Sequence, residues 1–115
     1  MNRIFSTMAL GAALTFAACQ PGGGGNVKQQ AHHVVEVEKG LLLDVRSVEE
    51  FASGHLQGAV NIPVQDLARR LGEVGGKTRP VVVYCAAGPR ATQAARILTE
   101  AGHTRIVDLG GMSNW

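Results

Sequence analysis

The stretch Pro80-Val81-Val82-Val83-Tyr84 constrains this chain more than any other. Three consecutive β-branched valines favour extended backbone. A run with no polar residue on either side of the pleat must be covered on both faces, as in a parallel sheet. A helical stripe follows shortly. Ala91, Ala94, Ala95, Leu98 and Ala101 fall at i, i+3, i+4, i+7 and i+10, and Gly102 marks the end. Upstream, Leu41 to Val45 (LLLDV) is a second short apolar run of the buried-strand type. Ser47-Val48-Glu49-Glu50 has the pattern of a capping box and predicts a short helix to about Ser53, stopped by Gly54. Ala59 to Ile62 reads as extended, with Pro63 as punctuation. Asp66 to Leu71 reads as helical, Gly72 to Pro80 as a loop, and Arg105 to Leu109 as a last strand before Gly110-Gly111. The alternation predicts an α/β fold, a central parallel sheet flanked by helices on both faces. A length of 115 residues with 45% hydrophobic content suits one such domain.

The first residues read differently. Met1-Asn2-Arg3 is a short cationic start, and Ile4 to Ala18 is mostly apolar, too short for a membrane span of about 20 residues. This is a secretory leader pattern, residues 1–18. Its end, Phe16-Ala17-Ala18-Cys19, resembles the bacterial lipobox, in which Cys19 becomes lipidated and N-terminal. Phe16 departs from the leucine usual there. Ordinary signal-peptidase cleavage after Thr15-Phe16-Ala17, and a buried N-terminal helix, are the rival readings. Gln20 after the cysteine resembles the enterobacterial pattern for sorting to the outer membrane. The expected location is the cell envelope, facing the periplasm and held by a lipid anchor. Pro21 to Gly25 carries four successive glycines and reads as a flexible tether. Residues 19–39 are then tether and domain lead-in, and 40–115 the domain. A first strand is hard to find in the lead-in, where Val34, Val35 and Val37 could supply part of one.

Two cysteines are present. With Cys19 lipidated, Cys85 is the one thiol of the mature chain, in a compartment where disulfides form. It is either buried and inert or reactive and kept for use. It stands at the carboxyl end of the best strand and just before the best helix, where open α/β sheets bind ligands. There, loop and helix N–H groups converge with the positive end of the helix dipole, and an anion such as a thiolate is stabilised. Ala86, Ala87 and Gly88 leave room for a cradle of N–H groups, and Arg90 adds a fixed cation. The net charge of +2 is small and the eleven Lys and Arg are scattered, with only Arg69-Arg70 adjacent, so no nucleic-acid footprint is present.

Cys85-Ala86-Ala87-Gly88-Pro89-Arg90 resembles the active-site loop of single-domain rhodanese-like sulfurtransferases. Leu41 to Pro63 resembles the family's other characteristic stretch, with Asp-Val-Arg, Glu-Phe, Gly-His, Gly-Ala and Asn-Ile-Pro in order, and Gly110 to Trp115 (GGMSNW) resembles its closing segment. The resemblance covers about residues 40–115. It implies a sulfurtransferase with Cys85 as catalytic nucleophile. Sulfane sulfur passes from a donor such as thiosulfate or a persulfide to Cys85, then to cyanide or a thiol. Arg90, Ala86, Ala87 and Gly88 bind the donor, and no metal or organic cofactor is needed. A six-residue loop from Cys to Arg belongs in this superfamily with sulfur rather than with phosphate or arsenate, whose enzymes use one residue more. A monomer is expected. The alternative from another class is a non-catalytic rhodanese-like binding module or a persulfide carrier at the cell envelope.

Some positions depart from the family. Pro89 removes one N–H but suits the first helical turn. Ala91 stands where relatives carry Ser or Thr. Elsewhere structural readings dominate. Arg46 and Glu50 are spaced i, i+4 for a pair. Asp44 is placed to cap loop N–H groups near the site. His55 belongs to the Gly-His motif. His32-His33 reads as surface, and Trp115 as packing.

Overall fold

In the computed structural model, which describes residues 26–115, four strands form one all-parallel sheet in the order β2-β1-β3-β4. Strand β1 is Leu41–Asp44, β2 is Val60–Asn61, β3 is Val81–Cys85 and β4 is Ile106–Gly111. The helices are α1 (Val27–His32), α2 (Val48–Ala52), α3 (Val64–Leu67) and α4 (Pro89–Glu100). The anticipated α/β architecture, with a central parallel sheet flanked by helices on both faces, is the one observed. Among the described residues no helix is long and apolar enough to cross a membrane.

The pleat divides the core in two. Leu41, Leu43 and Val45 of the β1 segment and Val81, Val83 and Cys85 of β3 turn to the face covered by α3 and α4, where they meet Val64, Leu67, Ala91, Ala94 and Leu98. Leu42, Val82 and Tyr84 turn to the other face and meet Ala31 and Val34, together with Val107 and Leu109 from β4. This is why the two runs are apolar at successive positions: every residue of β3 is buried. Each buried Val or Leu contributes roughly 1.5–3 kcal/mol relative to exposure.

The lead-in differs from the expectation. Val27–His32 is α-helical and His33–Val37 continues it as a π-helical turn, so no strand forms there. The reason lies in the spacing. Ala31 and Val34 are buried, and Val27 and Val35 pack beside them, a stripe at i, i+4, i+7 and i+8 that covers one sheet face. The helix sits close enough that a Cβ on Gly40 would stand 2.6 Å from Val34 Cγ1 and 2.7 Å from the Pro80 carbonyl oxygen. The packed unit therefore reaches back past residue 40.

Smaller differences concern boundaries. Helix α3 begins at Val64, directly after Pro63, and is followed by a separate 3-10 turn at Leu71–Glu73. Strand β4 runs on through both glycines. Helix α4 starts at Pro89, two residues before the apolar stripe, with proline in the first turn as anticipated.

Candidate functional site

Cys85 ends β3, and the chain turns into α4 within three residues. The turn depends on Gly88, the residue before the helix, at φ +127°, a conformation side chains rarely adopt. In that conformation the Gly88 N–H donates to Cys85 Sγ at 3.0 Å, and the Gly88 carbonyl accepts from the Thr92 N–H. Cys85 is only 1% exposed, whereas Ala86 and Ala87 are exposed. The sulfur thus lies at the base of the loop, under two small residues. Cys85 is a free thiol, and Cys19 lies outside the described residues.

Two neighbouring segments hold the loop. On one side, Cys85 pairs in register with Gly111. A Cβ at Gly111 would come within 3.0 Å of the Ala86 carbonyl oxygen, so the missing side chain is what allows β4 to pass this close. Between Val83 and Tyr84 the register slips. Val83 pairs with Asp108 and Tyr84 with Gly110, leaving Leu109 as the extra residue of a bulge. Asp108 then accepts from Thr92 Oγ1 at 2.8 Å and from the Gly110 N–H at 3.0 Å, tying the first turn of α4 to β4. Sequence reasoning missed Thr92 and Asp108, because no local spacing connects them.

On the other side stands a buried polar cluster. Asp44 is fully buried and accepts from the Arg46 guanidinium at 2.7 and 3.1 Å, from the Arg46 backbone N–H at 2.9 Å and from the Tyr84 hydroxyl at 2.7 Å. Arg46 also donates to the Gly54 carbonyl at 2.7 Å, and Asn61 Nδ2 donates to the carbonyls of Asp44 and Arg46 at 3.0 Å each. The Tyr84 hydroxyl accepts from the Leu56 N–H at 3.1 Å. Burial, with the hydrogen bond to Asp44, pushes the Tyr84 phenol well up, so it stays a neutral donor. Hydrogen bonding to Asp44, against the cost of burial, raises the Arg46 guanidinium. Asp44 therefore caps a loop N–H, as anticipated, and also anchors the Asp-Val-Arg stretch to β3.

The expected Arg46–Glu50 pair does not form. Arg46 precedes the N-cap Ser47 and is outside the helix, so helical i, i+4 geometry does not apply to it. Glu50 instead closes the capping box, accepting from the Ser47 N–H at 3.0 Å while its own N–H donates to Ser47 Oγ at 3.1 Å. Its two oxygens also accept from Arg90 at 2.7 and 3.0 Å. The hydrogen bonds from Arg90, then from the Ser47 backbone, lower the Glu50 pKa to about 2. Arg90 is raised, first by its hydrogen bonds to Glu50 and more weakly by the nearby Cys85 and Asp44. Arg90 is thus beside the thiol loop, but its guanidinium is engaged by a carboxylate.

The histidines serve the scaffold. His55 stacks on Phe51 at 3.7 Å with Nδ1 against the Phe51 carbonyl. His32 stacks on Trp115 at 3.6 Å, and His33 lies 3.3 Å from Glu38. No group of three or more His, Cys, Asp or Glu that could hold a metal ion occurs among the described residues.

A strand ending in cysteine, a loop closed on the sulfur and a buried Asp-Arg cluster bonded to Tyr84 of that strand form one constellation. The family model described as the Rhodanese-like domain matches residues 27–115. The chain belongs to the rhodanese-like domain family. The match starts at α1, in accord with the packing of that helix on the sheet. Among curated proteins, the thiosulfate sulfurtransferase PspE of Escherichia coli is 40% identical over 73 residues, covering 63% of this chain and 70% of that protein. A sulfurtransferase of Allochromatium vinosum is 34% identical over 86 residues, 74% of this chain and 79% of its own. Among solved structures, a rhodanese with anions from E. coli superposes with a TM-score of 0.62 at 38% identity, covering 65% of this chain and 89% of that one. This rhodanese-like chain therefore has sulfurtransferases among its homologues.

Proposed function

We propose that this protein is a sulfurtransferase that carries sulfane sulfur as a persulfide on Cys85. The observation behind the reading is the sulfur's position: a free thiol at the carboxyl end of a buried strand, held by the Gly88 N–H at 3.0 Å at the start of α4. The Cys85 thiolate attacks the outer sulfur of a donor such as thiosulfate, the donor S–S bond breaks, and sulfite leaves with the electron pair. A nucleophilic acceptor, cyanide or a thiol, then takes the outer sulfur and returns the thiolate. This divides one transfer into two easier steps. The helix terminus and the Gly88 N–H favour the anionic sulfur in both states. Arg90, Ala86, Ala87 and Gly88 line the donor's approach, and the protein works as a monomer without metal or organic cofactor.

The same proposal places the chain at the bacterial cell envelope, facing the periplasm, with Cys19 lipidated and 19–39 as tether and lead-in. Its support is the sequence of residues 1–25 alone. Phase partitioning of the full chain and of Cys19→Ala from expressing cells checks it. Partition of both into the aqueous phase would remove the anchor.

Intact-mass measurement after incubation with thiosulfate tests the chemistry. A gain of one sulfur atom is expected on the native protein and not on Cys85→Ser, with release of the atom on adding cyanide. If the folded protein gains no sulfur from thiosulfate or from a persulfide donor, the enzyme reading fails and a binding module remains.

A further inference from the structure

The cation that should attract an anionic donor is already paired. Arg90 makes two short hydrogen bonds to Glu50, a bidentate arrangement that uses one edge of the guanidinium. Glu50 is held there independently, because the same carboxylate accepts from the Ser47 N–H in the capping box of α2. The carboxylate cannot leave Arg90 without also loosening that cap. The pair is still reachable from solvent, with the Arg90 and Glu50 side chains 38% and 36% exposed. A donor approaching the Cys85 loop therefore meets a neutralised pair, not a free cation.

We infer that Glu50 is a specificity-determining residue that screens Arg90, so that the Cys85 loop prefers sulfane-sulfur donors of low negative charge over the thiosulfate dianion. The inference rests on the sulfurtransferase reading and sharpens it. Thiosulfate brings two negative charges to a site where the net charge of Arg90 and Glu50 is zero. A donor with one charge loses less by this screening. Both classes deliver sulfur by the same bond change. The Cys85 thiolate forms an S–S bond to the outer sulfur as the donor S–S bond breaks. The sulfonyl sulfur departs with its electron pair, as sulfite from thiosulfate or as methanesulfinate from the methanethiosulfonate anion. Charge is conserved in each case, and no other reactant is required.

Glu50→Gln tests the inference cleanly. Glutamine at the third helical position still serves a capping box, so the charge goes while the cap remains. The readout is kcat/KM for thiosulfate divided by that for methanethiosulfonate. The ratio should rise about tenfold in Glu50→Gln, through a lower KM for thiosulfate, and the gain should shrink as ionic strength rises. Ser47→Ala provides the contrast, weakening the cap while keeping the carboxylate on Arg90. Its ratio should stay at the native value. An unchanged ratio in Glu50→Gln, or the same rise in Ser47→Ala, would overturn the screening role. Binding of sulfite, followed by thermal stabilisation, needs no turnover and should strengthen in Glu50→Gln. If neither donor loads Cys85 yet sulfite binding strengthens in this way, screening stands and the sulfurtransferase reading falls. If Cys85 loads but neither the ratio nor sulfite binding changes, the reverse holds.

Discussion

At Gly111 and Tyr84, single atoms decide whether the loop is held. A methyl group at Gly111 would press on the Ala86 carbonyl at 3.0 Å. Its neighbours there are all backbone atoms of Ala86 and Ala87, so relieving the contact shifts the Cys85 loop or β4. Gly111→Ala should lower stability by about 1–3 kcal/mol, as overpacking does, and should lower the rate of Cys85 persulfide formation measured by mass. Tyr84→Phe keeps the ring in the core but removes the hydroxyl that links Asp44 to the Leu56 N–H. An unsatisfied buried group costs about 1–3 kcal/mol, and denaturant titration of this variant should show a loss in that range. Cys85, Gly88 and Arg90 could be picked out from the sequence because they are neighbours in one short loop. The Arg90–Glu50 contact could not, because the two residues are forty positions apart. Spacing along the chain suggested Arg46 as the partner of Glu50, whereas Arg46 is taken up by Asp44, two residues before it.

Among the elements, legibility followed the strength of the local signal. Helix α2 has both reciprocal bonds of its capping box, and its start at Val48 could be read from Ser47 and Glu50 alone. Ser47→Ala should cost about 0.5–2 kcal/mol in chemical denaturation. Helix α4 buries Ala91, Ala94 and Leu98 against the sheet, the stripe read from its spacing. Leu98→Ala should cost about 2–5 kcal/mol with little change in donor KM, because the loss lies in the core on the α4 face. Segment 27–37 was the failure. Its valines are β-branched and suggested a strand, yet Val27, Ala31, Val34 and Val35 share one helical face, and the sheet they cover rewards that face. Tertiary burial outweighed local propensity there.

The molecule as a whole should be sensitive to acid, through a residue far from the thiol in sequence. His103, just past α4, is 5% exposed, and its Nδ1 is buried without a hydrogen-bond partner. Burial, and then the charge of Lys77, lowers its pKa below the ordinary 6.5. The unfolded chain then binds the proton more readily than the folded one. Stability is full above the unfolded value and falls as pH drops below it. Glu50 acts in the same direction at lower pH, being lowered from 4.5 to about 2, so its contribution is lost as pH falls from 4.5 towards that value. Melting temperatures should therefore decline between about pH 7 and pH 5, and His103→Phe should flatten that part of the profile. A slope unchanged in the variant would assign the decline to other groups.

The sequence alone determined the parallel sheet and the place of Cys85 between strand and helix, but not the helix that covers the second sheet face. Both follow from contiguous patterns: runs buried on two faces, an amphipathic helix, and a cysteine between strand and helix. Only the tertiary structure decided what surrounds the loop. Asp108 reaches Thr92 through a bulge in β4, Gly111 passes beneath Ala86, and Glu50 spans from α2 to Arg90. These contacts depend on the register of parallel strands joined by long crossovers, and residues brought together in that way carry no periodic mark along the chain.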